Sequence, residues 1–310
     1  MKTGNREMHT GRFGCFARWI LLFLEILFLC FVLIGRDAAP DEALPTSDTV
    51  LPGTDTTPEF AWENYRTLIH ALGGLEEKTY LNCKESFLSY YAKGCRLFEV
   101  DLTRTADGIW VCRHNWNDSM GQWNEEGKKI LTEEEFLSAP LYGRYTPMSL
   151  KDLFLLLKEY PDAFVLVDSK QYSVRNYQKT IEDYGEYREI AKEADAESVL
   201  GQLIPEIYNE AMYPGIALVH HFPAYLYSLW QEYSLEEAER IAGFCQEKEI
   251  SAVTVYEQYW TEEIQRIFDE KQILVYVYTV NDVDEARQYL KSGVTGICTD
   301  VILEEELKAK

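Results

Sequence analysis

The stretch "LFEVDLTRTADGIWVCRHN", residues 97–115, puts acids inside a run that should be core. Leu97, Phe98, Val100 and Leu102 are the residues of a buried strand, yet Glu99 and Asp101 stand between them. Side chains alternate across a strand, so Glu99 and Asp101, two residues apart, project to one face. Asp107–Gly108 then turns the chain, too soon for a helix crossover. A second apolar run, Ile109–Arg113, leads into His114. Two carboxylates side by side repel unless a cation or a shared proton lies between them. Oxygen ligands at this spacing suit Mg²⁺ or Ca²⁺. The competing reading, a solvated polar strand face, is disfavoured by so apolar a partner face.

Outward from this stretch, short apolar runs alternate with amphipathic segments. Strands are expected at Thr67–Ala71, Leu97–Leu102, Ile109–Arg113, Phe164–Asp168, Val199–Ile204, Ile216–His220, Ala252–Tyr256, Ile273–Thr279 and Gly296–Cys298. Helices are expected between many of them. Residues 149–160 carry a Ser149 N-cap and are stopped by Pro161, and residues 234–249 open with a Ser-x-x-Glu capping box. Residues 281–293 end at Gly293. Repeated strand-then-helix order implies a parallel sheet with crossover helices. The last 252 of the 310 residues match the size of a (β/α)8 TIM-type barrel, roughly 250 residues. Nine strands exceed eight barrel positions, and the excess is placed near 97–113, at the early turn. Near the C-terminal end of a barrel strand, the face bearing Glu99 and Asp101 would open on the catalytic mouth.

Charge separates the ends of the chain. The net charge is −22, which argues against a nucleic-acid partner, since phosphates demand a basic patch. Residues 1–36 nevertheless sum to +3, leaving −25 for the remainder. The reason is "WILLFLEILFLCFVLIG", residues 19–35, apolar but for Glu25 and preceded by basic residues. Its flanks suit an uncleaved single-pass anchor better than a cleaved signal segment, because Asp37 and Pro40 spoil the Ala38–Ala39 site. Basic residues before the span keep the short tail 1–18 cytoplasmic and place the bulk of the chain outside. Residues 36–58 hold four of the ten prolines and no aromatic residue, and read as a flexible linker to a domain at 59–310. Seven scattered cysteines show no metal spacing and no disulfide framework.

The segment "GCRLFEVDLTRTADGIWVCRHN" resembles the signature of the glycerophosphodiester phosphodiesterase family, within the phospholipase C-like phosphodiesterase superfamily. Other segments are similar to family motifs in the same order: "LIHALGG" (68–74), "LNCKESF" (81–87), "YTPMSLKDLFLLL" (145–157), "FVLVDSK" (164–170), "VYTVND" (277–282) and "GVTGICTD" (293–300). The likeness covers about 65–170 and 273–300. Carried over residue by residue, it implies that Glu99, Asp101 and Asp168 hold one divalent cation, Ca²⁺ or Mg²⁺. It further implies that His70 and His114 serve acid–base catalysis and that Lys170 meets the substrate phosphate. The residue types agree, since an imidazole with pKa near ~6.5 can accept or donate a proton at neutral pH.

Departures from the pattern point to a diverged subgroup. Ala71 replaces the arginine after the first histidine, with Lys170 or Arg113 as substitutes for its phosphate contact. Leu81 replaces an acid and leaves Asn82; Asp168 is one methylene shorter than the usual glutamate; Asn115 stands where aspartate is common. Tyr278 replaces a tryptophan and is expected to line the substrate groove. His220 and His221 sit at an expected strand end, and His220 is carried as a substrate contact beside the plainer reading of a polar strand end. The tryptophans of residues 114–129 either shape the mouth or pack an ordinary loop.

The function these features imply is metal-dependent hydrolysis of a phosphodiester, most simply a glycerophosphodiester, outside the cytoplasmic membrane. Two alternatives stand within the same barrel: a non-hydrolysing binder of a phosphorylated surface ligand, and a phospholipase acting on lipid or wall-polymer diesters. A glycosidase fares worse, because carboxyls two residues apart on one strand do not flank a sugar.

Overall fold

The structure, a computed structural model, describes residues 59–123, 129–170 and 177–308. The apolar run 19–35 and the linker 36–58 lie outside them, and no helix among the described residues is long and apolar enough to cross a membrane. The strands are β1 (Thr67–Ile69), β2 (Leu97–Arg104), β3 (Trp110–Cys112), β4 (Phe164–Ser169), β5 (Leu203–Ile207), β6 (Leu226–Leu229), β7 (Ala252–Tyr256), β8 (Leu274–Tyr278) and β9 (Gly296–Thr299). Eight of them run parallel, and β1 pairs with both β2 and β9, which closes the ring. The ninth, β3, folds back antiparallel onto β2 after the Asp107–Gly108 turn. This is the expected (β/α)8 barrel, with the surplus strand where the early turn placed it.

Helices cover the outside: α1 (Lys84–Ala92), α2 (Glu133–Ser138), α3 (Leu150–Glu159), α4 (Tyr177–Glu193), α5 (Met212–Val219), α6 (Leu235–Glu247), α7 (Glu262–Asp269), α8 (Val283–Lys291) and α9 (Glu304–Leu307). Ser149 with Asp152 and Ser234 with Glu237 form the capping boxes of α3 and α6. Each box satisfies N–H groups that the helix start would otherwise orphan. Past α8, Gly293 takes φ +99°, a conformation that favours glycine.

Two expectations fail in the middle of the chain. Residues 216–220 form no strand; Ile216 to Val219 belong to α5, which carries Pro214 in its first turn. A short apolar run fits a buried strand and a buried helix equally well. Gly215 lets this helix seat on α4, since a Cβ there would lie 3.1 Å from the Tyr177 carbonyl oxygen. The sixth barrel strand is instead "LYSL", passed over because it is only four residues long and interrupted by Ser228. Residues 197–202 likewise form a 3-10 turn, and β5 begins only at Leu203.

Alternation along the strands creates two apolar layers. Phe98, Val100, Leu102, Val165 and Val167 face outward under the helices. Leu68, Leu97, Phe164, Leu166, Ile204, Leu226, Ala252, Tyr276 and Cys298 fill the barrel interior. Phe60, Trp62 and Tyr65 pack against the interior group from the segment before β1. The Tyr276 hydroxyl ties them in by donating toward the carbonyls of Trp62 (3.0 Å) and Tyr65 (2.6 Å). Gly296 permits this packing: a Cβ there would lie 2.5 Å from the Tyr276 ring. Two residues further along each strand the inward positions turn polar, which makes one end of a solid core into a site.

Candidate active site

Glu99 and Asp101 occupy the upper inward positions of β2, and β2 pairs in register with β4 so that Asp101 lies opposite Asp168. Carboxylate oxygens of all three lie within 4.8 Å of one another, and all three residues are buried. The protein holds each with a specific group. Ala71, in the left-handed conformation (φ +46°), donates its N–H to Glu99 Oε2 at 2.6 Å. Asn82 brackets Asp101: its amide donates to Oδ2 at 2.7 Å, and its carbonyl oxygen accepts the Asp101 N–H at 3.0 Å. The Tyr208 hydroxyl donates to Asp168 Oδ1.

Compensation is incomplete. Glu99 Oε1 is buried with no hydrogen-bond partner among the described residues. Asp101 Oδ1 faces the Lys170 ammonium at 2.9 Å but makes no well-directed hydrogen bond. Burial, then the charges of Asp101 and Asp168, push the Glu99 carboxyl well above the usual range. Burial also opposes ionisation of Asp101, but the Lys170 charge and the two imidazoles outweigh it and hold that carboxyl low. Burial works against the Lys170 charge too, and Asp101 and Asp168 overcome it, raising the ammonium well above its ordinary value. An orphaned buried oxygen among three hard donors is a seat that a hard divalent cation fits.

Both histidines reach the same mouth. His70, directly after β1, places Nδ1 2.8 Å from Asp300 Oδ1 and Nε2 3.9 Å from Glu99 Oε2. A carboxylate only accepts, so Nδ1 carries hydrogen and Nε2 faces the acids. Asp300 is fixed in turn by the Asn281 amide, 2.7 Å from its Oδ2. His114 has the opposite support. Asn115 Oδ1 accepts the Asn117 N–H at 2.7 Å, which turns the Asn115 amide nitrogen toward His114 Nδ1 at 2.5 Å. Nδ1 of His114 must then accept, leaving the hydrogen on Nε2. Burial holds the His114 imidazole below its ordinary pKa, so it stays neutral. Tyr80 stands between the two rings, with centroids 4.7 Å from His70 and 4.8 Å from His114.

These residues line a cavity of about 850 Å³, shared with Glu206, Trp230, Tyr256 and Tyr278. Of the residues expected at the site, His70, His114, Glu99, Asp168, Lys170 and Tyr278 line this cavity, and the Asp101 carboxylate lies within 4.8 Å of those of Glu99 and Asp168. Lys170, expected on the substrate phosphate, is engaged with Asp101 and Asp168. Arg113 cannot take the place of the missing arginine. Its guanidinium turns away from the mouth to donate to Asn115 O, Gln122 Oε1 and Asp118 O, and it stacks on Trp116 and Trp123. The two tryptophans therefore pack a loop. His220 is corrected: it follows helix α5, its ring against Phe222, and it is not among the residues lining the cavity.

Several site residues were not singled out from sequence. Asp300 and Asn281 lay inside the quoted "GVTGICTD" and "VYTVND" segments, so a signal existed. Tyr80, Tyr208 and Glu206 follow no local pattern, and only closure of the barrel brings them in. Burial, then the Asp168 charge, push Glu206 up to about 8.

Residues 74–304 match the model of the glycerophosphoryl diester phosphodiesterase family. No curated protein matches the chain in sequence. Among solved structures, a glycerophosphodiester phosphodiesterase from Thermotoga maritima is 21% identical, with a TM-score of 0.54 over 76% of this chain and 94% of that one. An Oleispira antarctica phosphodiesterase, solved with the product sn-glycerol-3-phosphate, is 15% identical, with a TM-score of 0.59 over 76% and 93%. A glycerophosphodiester phosphodiesterase from Parabacteroides distasonis is 16% identical, with a TM-score of 0.57 over 76% and 93%. Likeness at this identity carries the fold; the family match carries the kinship.

Proposed function

Because this chain belongs to the glycerophosphoryl diester phosphodiesterase family, we propose that its barrel mouth hydrolyses a glycerophosphodiester to an alcohol and glycerol phosphate. The observation that carries this reading is the convergence of His70 and His114 on one mouth with the buried cluster of Glu99, Asp101 and Asp168. Those three carboxylates are the groups that would hold a divalent cation, which supplies positive charge beside the phosphoryl oxygens when bound.

The chain's own residues divide the remaining work. The attacking oxygen, from water or a neighbouring substrate hydroxyl, loses a proton as its bond to phosphorus forms. The departing alcohol oxygen gains one as the other P–O bond breaks. His70 is the proton carrier, since Asp300 fixes Nδ1–H and leaves Nε2 to take and return a proton. His114, neutral and with Nδ1 occupied by Asn115, presents Nε2–H as a hydrogen-bond donor to the phosphoryl oxygens. Trp19–Gly35 serves as the anchor that holds this domain at the outer membrane surface.

The test uses the full-length chain in mild detergent and follows ³¹P NMR of glycerophosphodiesters with Ca²⁺ or Mg²⁺, then with chelator. The expected result is monoester or cyclic-phosphate formation, stopped by chelator and lost in His70→Ala. Folded, metal-supplied protein that turns over no diester would sink the reading and leave a barrel that binds a phosphorylated ligand without cleaving it.

A further inference from the structure

A phosphodiester brings negative charge to a mouth already lined by Glu99, Asp168 and Glu206. The basic side chains around it are engaged elsewhere. Lys170 is held by Asp101 and Asp168, Arg240 by Glu210, and Arg113 turns into the loop that follows it. Ala71, beside His70, has no side-chain donor to offer. His114 presents one N–H, and the non-bridging oxygens of a phosphate accept more than one hydrogen bond.

Tyr80 stands where a further donor is needed. Its ring meets those of both histidines edge-on, at 81° to His70 and 61° to His114. It is 42% exposed and lines the cavity, whereas the next two residues, Leu81 and Asn82, are buried. Its backbone takes φ +56°, a conformation that costs a bulky side chain energy. The Asn82 amide that holds Asp101 also donates to the Tyr80 carbonyl at 3.4 Å, which ties the ring's position to the acid cluster. The hydroxyl itself makes no hydrogen bond among the described residues. Burial, then the charges of Asp101 and Asp300, push it up to about 12, so it keeps its hydrogen at neutral pH.

We propose that Tyr80 is a catalytic residue of this site, whose hydroxyl donates to a non-bridging phosphoryl oxygen beside the His114 Nε2–H. The bond tightens as charge builds on that oxygen while the new P–O bond forms. No proton is transferred, and His70 remains the proton carrier. The plainer reading makes Tyr80 a spacer between the two imidazoles, a task the ring performs without its hydroxyl. The inference rests on the phosphodiesterase reading and adds a residue to it.

The experiment uses the full-length chain with Ca²⁺ or Mg²⁺ supplied, and Tyr80→Phe, which keeps the ring and removes only the hydroxyl. The substrates are the ethyl ester of glycerol phosphate and its two phosphorothioate diastereomers. On the oxygen ester kcat/KM should fall roughly 10–10²-fold, the loss of one hydrogen bond to a charged oxygen, with an unchanged melting temperature. Sulfur is a poor acceptor, so the diastereomer that turns sulfur toward Tyr80 has already lost this bond in the wild type. The substitution should cost it little more, while the other diastereomer is slowed like the oxygen ester. A phenylalanine variant as fast as the wild type makes the ring a spacer and overturns the inference, leaving the phosphodiesterase standing. Equal slowing of all three esters also overturns it, because the hydroxyl then acts on the histidines and not on the phosphate. Wild-type protein that cleaves none of the three overturns both readings.

Discussion

At the scale of single residues, the two histidines are distinguished by what touches Nδ1. Asp300 holds a hydrogen on His70, whereas the Asn115 amide takes the lone pair of His114. A glutamine side chain can place an N–H near the position of imidazole Nε2 but cannot carry a proton. His114→Gln should therefore keep distinctly more kcat than His114→Ala. His70→Gln should be as poor as His70→Ala, with losses of roughly 10²–10⁴-fold. Equal rescue at both positions would refute the division of labour. Glu206 gives a stability prediction with a definite sign. The unfolded chain ionises this acid near 4.5, while the folded protein holds its proton to about 8. The contribution of this one acid is thus fully present below pH 4.5 and is lost as pH rises through about 8. Glu206→Gln cannot ionise, so in urea denaturation without divalent cations it should match the wild type at pH 4.5. At pH 8.5 it should exceed it by on the order of a few kcal/mol. A constant difference across that window would show that the carboxylate is not held protonated.

At the scale of elements, the β2–β3 hairpin decides how the second histidine is delivered. Parallel strands need a long crossover, and the early return of β3 instead sets His114 beside the acids of the strand it pairs with. Arg113 then anchors the loop that follows. It is 2% exposed, its acceptors are two carbonyl oxygens and one amide oxygen, and the ring faces of Trp116 and Trp123 complete its surroundings. Burial pulls its pKa down to about 10, so the guanidinium is still charged at neutral pH. Arg113→Ala should lower thermal stability by about 2–4 kcal/mol through lost packing and unpaired carbonyls. It should also depress kcat, because His114 is the next residue. Arg113→Lys should recover little, since a point charge cannot replace a planar fork between two indoles. An unchanged melting temperature in the alanine variant would refute this role.

At the scale of the whole molecule, the acidic domain and the basic, apolar N-terminal segment suit different surroundings. If Trp19–Gly35 spans the bilayer, the full-length chain should stay with membranes through alkaline carbonate extraction, and deletion of residues 1–36 should release it. Extraction of the intact chain by carbonate would refute the anchor. Within the domain, the barrel works as a solid plug below and a polar basin above. Phe60, Trp62 and Tyr65 pack the interior group from the segment before β1, and Trp230, Tyr256, Tyr278 and the acids share the cavity at the mouth.

Local pattern determined a great deal here. The period-two alternation of residues 97–102 fixed which face carries Glu99 and Asp101, the Asp107–Gly108 turn fixed the extra strand, and the Ser149 N-cap and the Ser234 capping box fixed the starts of α3 and α6. Each of these signals lies within a few residues, where backbone geometry and side-chain periodicity are one fact. The failures lie where that identity lapses. An apolar run such as "GIALV" carries no period that separates helix from strand, and a four-residue strand with a central serine carries almost no pattern. Contacts across the barrel were beyond any local reading. The Asp300 support of His70, the Tyr208 bond to Asp168, the capture of Lys170 by the acids and the burial of Glu206 join residues up to 230 positions apart. The sequence could name the chemical groups and the face of the strand they stand on. Only ring closure could set their distances, because proximity across a barrel follows from strand register and not from spacing along the chain.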